Sequence, residues 1–93
     1  MNEVFIIGEV VSKIEFNFIY KGKHISKASC YIKLKNKSKI EIIGYDEIAD
    51  LMYRYLEQDN TVFVYGKIDS EGKVIARNVK KAYKHLTKQK NTI

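Results

Sequence analysis

Hydrophobic and polar residues alternate along most of the chain, which is the period of β-strands that bury one face. The first segment of this kind covers residues 3–11, and its pattern continues at every second position through residues 14–20. Gly8 lies within it and predicts a bulge or a bend where a sheet coils. Four further strands are predicted over residues 24–35, 39–45, 61–68 and 73–83, the last with a break in phase around Asn78.

A single helix interrupts the strands. Between residues 46 and 57 the apolar positions follow helical spacing, and Asp46 is a suitable N-cap. Gly72 is expected in the left-handed conformation of a hairpin loop. Three strands, one helix and two more strands, with a glycine inside the first strand, are the layout of a five-stranded Greek-key barrel, the OB-fold. The helix, between strands 3 and 4, is expected to close one end of this barrel.

The length and composition predict one small domain. The chain has 93 residues, of which 45% are hydrophobic, and we assign residues 1–83 to the domain and residues 84–93 to a basic, flexible C-terminal tail. No run approaches the ~20 apolar residues of a membrane span, and the N-terminus lacks the pattern of a signal peptide. We therefore expect a cytoplasmic protein.

The cysteine and histidine content excludes several kinds of site. Cys30 is the only cysteine, so no internal disulfide can form, and together with His24 and His85 it provides too few ligands for a structural zinc site. Cys30 is in phase with the core positions of its strand, which predicts a buried, unreactive thiol. No nucleophile–base pair, paired-acid motif or glycine-rich phosphate loop is present, so we expect neither enzymatic activity nor a cofactor.

Charge is distributed along the chain in blocks, with a formal net charge of +6. Residues 21–40 contain seven lysines and no acid, residues 72–93 contain seven cations and no acid, and residues 41–71 have a net charge of −6. If the two basic blocks are neighbours in space, they create one positive face suited to a polyanion. A solvated strand surface with a solubilising tail explains the same pattern equally well.

Several segments resemble the bacterial single-stranded-DNA-binding protein (SSB) family. Residues 2–11 resemble the family's start, with an asparagine, apolar residues and a glycine; residues 42–50 are similar to its third strand and helix; and residues 62–68 resemble its fourth strand. The similarity covers about residues 2–83 in order and spacing. It implies an OB-fold that binds single strands by stacking bases on aromatic rings over a basic surface, and that assembles into dimers or tetramers.

The chain is a shortened form in comparison with that family, and in this respect it is similar to a compact relative, primosomal replication protein B. The hairpins that follow strands two and four are reduced to tight turns, and the ending is basic where the family has an acidic tail. Tyr45 matches a stacking aromatic at the end of strand three, whereas Lys39 stands where the family usually has an aromatic. These differences favour a homodimer over a tetramer.

Binding a single strand without reading its sequence needs cations for the backbone and flat rings for unstacked bases. Tyr31 and Tyr45 are predicted on the face of strands two and three that points away from the core, among lysines. Residues in the hairpin loops after strands one and four are also candidates, because OB-folds use these loops to bind ligands. The candidate nucleic-acid-binding residues are Tyr20, Lys21, Lys23, Lys27, Tyr31, Lys33, Lys35, Lys39, Tyr45, Lys67 and Lys73.

The other aromatic residues on strands allow more than one interpretation. Phe63 and Tyr65 point away from the core and either stack bases or pack under the helix or a partner subunit, and packing is favoured. Phe16 and Phe18 are equally compatible with a subunit contact and a ligand contact. Two cations of the last strand, whose phase is unclear, are weaker candidates for the site; they are Arg77 and Lys80.

The sequence leaves three functions open. The first is non-catalytic binding of single-stranded DNA with little sequence preference, in replication, recombination or repair. The second is an OB-fold protein-interaction module, an accessory subunit of a replication complex with a helicase, primase or polymerase. The third is RNA binding on the same fold. Richness in lysine and isoleucine suggests an AT-rich genome, such as that of a phage or mobile element.

Overall fold

The computed structural model describes residues 2–20 and 22–82 of the chain. It contains six strands and one helix in these residues: β1 (Glu3–Val10), β2 (Glu15–Tyr20), β3 (His24–Lys33), β4 (Lys39–Tyr45), α1 (Glu47–Tyr55), β5 (Thr61–Ile68) and β6 (Val74–Lys81). The predicted strands over 39–45 and 61–68 are confirmed to the residue. The predicted tail, residues 84–93, and the candidate Lys21 lie outside the described residues.

The strands form a closed barrel, which confirms the predicted OB-fold. The order β1-β5-β6-β4-β3 becomes a ring because β1 also pairs with β3, where Glu9 lies opposite Lys33 and Val10 opposite Ile32. β4 and β6 run parallel, and the other neighbours are antiparallel. β2 pairs with β3 alone, so the β2–β3 hairpin extends beyond the ring.

The predicted first strand divides into two strands, β1 and β2. The chain follows β3 through the break, but with irregular hydrogen bonds: the Val11 N–H donates to the Tyr31 carbonyl oxygen, and the Tyr31 N–H donates to the Ser12 hydroxyl at 2.8 Å. A side-chain oxygen thus replaces a backbone partner and ends the regular strand. Because the structure has one more strand before the helix than was predicted, the helix lies between β4 and β5 and not between strands 3 and 4.

The core lies inside the barrel and includes Ala49, Met52 and Leu56 from α1 and the residue that follows it. The largest side chains with no more than about 1% exposure are Ile32, Ile42, Met52, Val10, Val62, Val64 and Val74. Gly44 of β4 lets the helix approach closely, because a Cβ atom there would lie 2.7 Å from Ile48 Cγ2 and 2.7 Å from Met52 Sδ. The helix thus closes one end of the barrel, as its apolar spacing predicted.

The start of the helix differs from the prediction. Asp46 precedes the helix with a positive φ of 52°, and its carboxylate makes no hydrogen bond to the first turn. The Ser26 N–H of β3 donates to that carboxylate at 3.4 Å, and the Asp46 N–H donates to the Ser26 carbonyl oxygen at 2.9 Å. Asp46 therefore ties the end of β4 to β3 and is not a side-chain cap.

The predicted break in the last strand is a β-bulge. Tyr65 lies opposite Asn78 but Gly66 lies opposite Ala76, so Arg77 is the extra residue on β6. A bulge of this kind shifts the inward side by one position, and the strand has Ala76 buried and Val79 packed against the core. In the described part of the chain, no helix is long and apolar enough to cross a membrane.

The closure of the barrel predicts that Gly8→Ala is destabilising. A methyl group at Gly8 would overlap the Ile32 side chain and lie 2.7 Å from the Lys33 carbonyl oxygen, and overpacking of this kind costs about 1–3 kcal/mol of the free energy of unfolding. Urea denaturation followed by circular dichroism measures the change. Asn17→Ala, at an exposed position of β2, is the control and is expected to change stability by less than about 0.5 kcal/mol. Equal stability of the two variants would contradict the close contact of β1 with β3.

Candidate nucleic-acid interface

The outer face of β3 and β4 brings together five of the candidate residues. Lys27, Tyr31 and Lys33 alternate with the buried positions of β3, and Lys39 and Tyr45 end β4. In the register of the two strands, Lys27 lies opposite Tyr45 and Lys33 lies opposite Lys39. Tyr31 and Tyr45 are 46% and 39% exposed. We call this surface the lysine–tyrosine face.

Cations are concentrated at the end of this face near the β3–β4 turn. Lys33 and Lys39 lie directly opposite each other, and like charges in such a pair are destabilising without a counterion. Lys35 and Lys37 belong to the turn, which the Leu34 N–H closes by donating to the Ser38 carbonyl oxygen. A groove beside the turn is lined by residues that include these lysines and Glu9. This end of the lysine–tyrosine face is positively charged and is therefore suited to binding a polyanion.

One acid interrupts the positive charge in the middle of the face. Glu41 is the only acidic residue of β3 and β4 and lies opposite Tyr31. The Lys73 ammonium lies 3.5 Å from its carboxylate and 3.3 Å from that of Glu71. The hydrogen bond to Glu71 and the charge of Glu41 raise the pKa of Lys73. Lys73, a candidate from the hairpin loop before β6, therefore lies near the face, but its charge is already paired.

The structure does not bring Tyr20 to the lysine–tyrosine face. Tyr20 lies opposite His24 at the end of the β2–β3 hairpin, in phase with Phe16 and Phe18, on the side of the sheet that continues the core. Its ring is 72% exposed and lies 5.3 Å from the His24 ring. Lys23 belongs to the adjoining turn, between β2 and β3. This hairpin is a separate surface.

The hairpin and the helix share an aromatic cluster that the sequence did not predict. The Phe16 ring lies 5.3 Å from the Phe18 ring and 4.9 Å from the Tyr53 ring. Tyr53 and Phe18 are 61% and 74% exposed. Spacing along the chain does not relate Tyr53 of α1 to Phe16 of β2, so only the fold could show that they meet.

Another aromatic surface lies on the outer face of β1, β5 and β6. The Phe5 and Phe63 rings are stacked, with centroids 6.1 Å apart and planes at 15°. The Tyr65 hydroxyl donates to the Glu3 carboxylate at 2.6 Å. Lys67 lies on the same face, opposite Glu3. Phe63 and Tyr65 do not pack under the helix, which packs chiefly on β3, β4 and β6. The sequence analysis did not include Phe5 in this surface, because β1 has apolar residues on both faces and its alternation does not show which face points outward.

Solved structures with the same fold include SSB domains and a primosomal protein. The chain superposes on the SSB domain of a Synechococcus protein with a TM-score of 0.78 at 12% identity, covering 86% of this chain and 94% of that one. For the single-stranded DNA binding protein from Thermus aquaticus the TM-score is 0.77 at 14% identity, covering 90% of this chain and 41% of that one. For PriB from Ralstonia solanacearum it is 0.73 at 12% identity, covering 88% and 99%.

These similarities establish an SSB-like fold, as the sequence resemblance implied. No protein-family model and no curated protein sequence matches the chain. The assignment of function therefore depends on the surfaces described above.

Cys30 lies directly beneath the lysine–tyrosine face and is buried, as predicted. It is 3% exposed, and burial, with a smaller effect of the Glu41 carboxylate, raises the pKa of its thiol from 9.0 to about 11. Reactivity of cysteine requires the thiolate, so the thiol is expected to be inert at neutral pH.

We predict that Cys30 makes stability fall in alkaline solution. Because its pKa is higher in the folded state, the stabilising contribution is complete below pH 9 and is lost as pH rises through about 11. Denaturation of the wild type and Cys30→Ala between pH 8 and about 11 isolates this effect from other titrating groups. The difference in free energy of unfolding between the two proteins should shrink with rising pH. A constant difference would contradict the raised pKa.

Proposed function

We propose that the protein binds single-stranded DNA without catalysis and with little sequence preference, through the lysine–tyrosine face. The observation that carries this proposal is the register of β3 and β4, which places Tyr31 and Tyr45 on one surface with Lys27, Lys33 and Lys39. Ammonium groups replace counterions along the backbone, and each exposed ring can stack one base. Neither contact reads a base edge, so neither selects a sequence.

The cellular role that fits this activity is DNA replication, recombination or repair in the cytoplasm. Solved structures with this fold carry names that include single-stranded DNA binding, which supports the proposal at the level of the fold. RNA binding on the same face is the alternative, because stacking and phosphate contacts are common to both polymers. Competition between DNA and RNA oligomers of matched sequence distinguishes the two.

Homodimer formation is part of the proposal. On the side away from β5, β1 pairs with β3 only at Glu9 and Val10, so residues 3–7 present a strand edge without a partner among the described residues. Such an edge readily pairs with another strand, and a second copy of β1 can pair with it across a two-fold axis. Sedimentation equilibrium is expected to give twice the mass of the chain.

A protein-interaction module is the second candidate function, as an accessory subunit of a replication complex. The observation that favours it is the exposed cluster of Phe16, Phe18 and Tyr53, because exposed aromatic clusters mark interaction sites. This cluster lies on the side of the sheet opposite the lysine–tyrosine face. Loss of a protein partner in Phe18→Ala, with DNA binding retained, would assign the two functions to separate surfaces.

Tyr45→Ala is predicted to weaken binding of oligo(dT) by about 1–3 kcal/mol, the contribution of one base stacked on an aromatic ring. Fluorescence anisotropy at low salt measures the dissociation constants. Tyr55→Ala is the matched control, since Tyr55 is also an exposed tyrosine but belongs to α1; it is expected to bind like the wild type. Equal loss in both variants, or no binding by the wild type at low salt, would refute the proposal.

Glu41→Gln is predicted to strengthen binding of oligo(dT). The change removes the only acid of β3 and β4 and leaves the Lys73 ammonium, which lies 3.5 Å from Glu41 and 3.3 Å from the exposed Glu71, with one carboxylate partner instead of two and so more available for phosphate. One additional phosphate contact steepens the plot of log K against log salt by about 0.7 for a single strand. Glu57→Gln, at an exposed acid beyond the helix, is the control. An unchanged salt slope in Glu41→Gln would show that Lys73 does not reach the bound strand.

A further inference from the structure

The outer face of β1, β5 and β6 contains a shallow groove that the lysine–tyrosine face does not include. It is lined by Phe5, Phe63, Tyr65, Asn78 and Lys80, and we call it the aromatic groove. Phe5 is 62% exposed and Tyr65 is 39% exposed. Large apolar side chains in this number on one open sheet face are typical of an interaction site.

The groove has the shape of a site for a flat ring. The planes of Phe5 and Phe63 are within 15° of each other and their centroids are 6.1 Å apart, so the two rings are stacked nearly parallel, and Phe5 is the more exposed of the two. The groove has a volume of about 270 Å³, which is below the ~300–1,000 Å³ typical of pockets for drug-sized ligands. One planar group therefore fits the groove better than a complete cofactor.

The polar groups around these rings favour an anion-bearing ligand. Among the described residues no acid lines the groove, whereas Lys80 does, and Arg77 is exposed at the adjacent bulge. The nearest carboxylate, Glu3, accepts a hydrogen bond from Tyr65 at 2.6 Å. That bond is the main reason why the pKa of Tyr65 is raised, so the phenol stays neutral. Asn78 adds an amide that can donate and accept hydrogen bonds.

The groove lies on the strands that follow β4 around the barrel, in the order β6, β5 and β1. Ile43, on the outer side of β4, lies beside Ile75 of β6, and Ile75 lies beside Lys67 of β5. On β5 and β1, the next outer pair is Tyr65 with Phe5. Neighbouring strands are about 4.8 Å apart, so three steps from β4 to β1 span about 14 Å, a distance that a few unstacked nucleotides can cover.

We propose that the aromatic groove is a second contact for the same single strand, in which Phe5 and Phe63 stack a base and Lys80 holds the adjoining phosphate. This inference rests on the proposed function and extends it, because it predicts a strand that passes from β4 across β6 and β5. The two rings can stack a base, and the Lys80 ammonium group can pair with a phosphate. Dimerisation through the edge of β1 leaves this face open.

A second copy of the chain is a poorer match for the groove. In a symmetric dimer through this face both copies use the same patch, so Lys80 and Arg77 would need acids from the same face of the other copy. Glu3, an acid of this face, already accepts a hydrogen bond from Tyr65, and unpaired cations in a contact are unfavourable. A polyanion neutralises them.

The test compares oligo(dT) of about 4 and about 16 nucleotides, the limits of the site size for one OB-fold. Phe5→Ala is expected to weaken binding of the long oligomer about fivefold or more, the lower limit of one base stack. Lys80→Gln is expected to weaken it and to reduce its salt slope by about 0.7, the effect of one phosphate contact. Both variants are expected to bind the short oligomer like the wild type. Phe5→Tyr keeps a ring and is expected to bind like the wild type. Arg54→Gln, which removes a cation of α1, is the control for net charge.

The outcomes separate this inference from the proposed function. If the wild type binds neither oligomer, or Tyr45→Ala binds both like the wild type, the proposed function fails. If Tyr45→Ala weakens both but Phe5→Ala and Lys80→Gln bind the long oligomer like the wild type, only the inference is overturned. Sedimentation equilibrium adds a third outcome: a lower mass of Phe5→Ala than of the wild type would show that a second copy covers the groove, which also overturns the inference. Circular dichroism confirms that each variant is folded.

Discussion

The close contact of β1 with β3 is the constraint on which the rest of the molecule depends. Gly8 has no side chain, and a Cβ atom there would collide with Ile32 and the backbone of Lys33. Only because the strands approach this closely does the sheet close into a ring, with Glu9 opposite Lys33. Closure gives each strand an inside and an outside. The inside takes the branched aliphatic side chains, and the outside is left for lysines and aromatic rings.

That outside surface is a compromise between stability and binding. Lys33 lies between Lys39 on β4 and Glu9 on β1, so one acid faces two lysines, and a phosphate backbone would supply further negative charge. Glu41, in the middle of β4, pairs with Lys73 and separates the cations at the two ends of the face. The same carboxylate stabilises the free protein and opposes a polyanion, so stability and affinity are coupled at one residue.

Exposed aromatic rings occur on three separate surfaces of this small barrel, and each surface has different neighbours. Tyr31 and Tyr45 lie among lysines, Phe5 and Phe63 lie beside Lys80, and Phe18 lies beside Phe16, which contacts Tyr53 of the helix. Stacking of bases needs a nearby cation for the phosphate, whereas docking of a protein needs apolar area above all. The neighbours, more than the rings themselves, therefore distinguish the nucleic-acid surfaces from the surface suited to a protein.

The sequence by itself determined the strands from residue 24 onward, the helix, the buried position of Cys30 and the lysine–tyrosine face, since the period-two alternation of residues 24–35 is local information. The bulge at Arg77 was also visible in the sequence, as a break around Asn78 in the alternation of the last strand. Only the tertiary structure decided that Lys73 is paired with Glu41, that Tyr20 faces away from Tyr31, and that Phe5 meets Phe63. These outcomes depend on which strands become neighbours and in which register, and residues far apart in the chain set that register jointly. Periodicity fixes the face of a side chain but does not fix its partner.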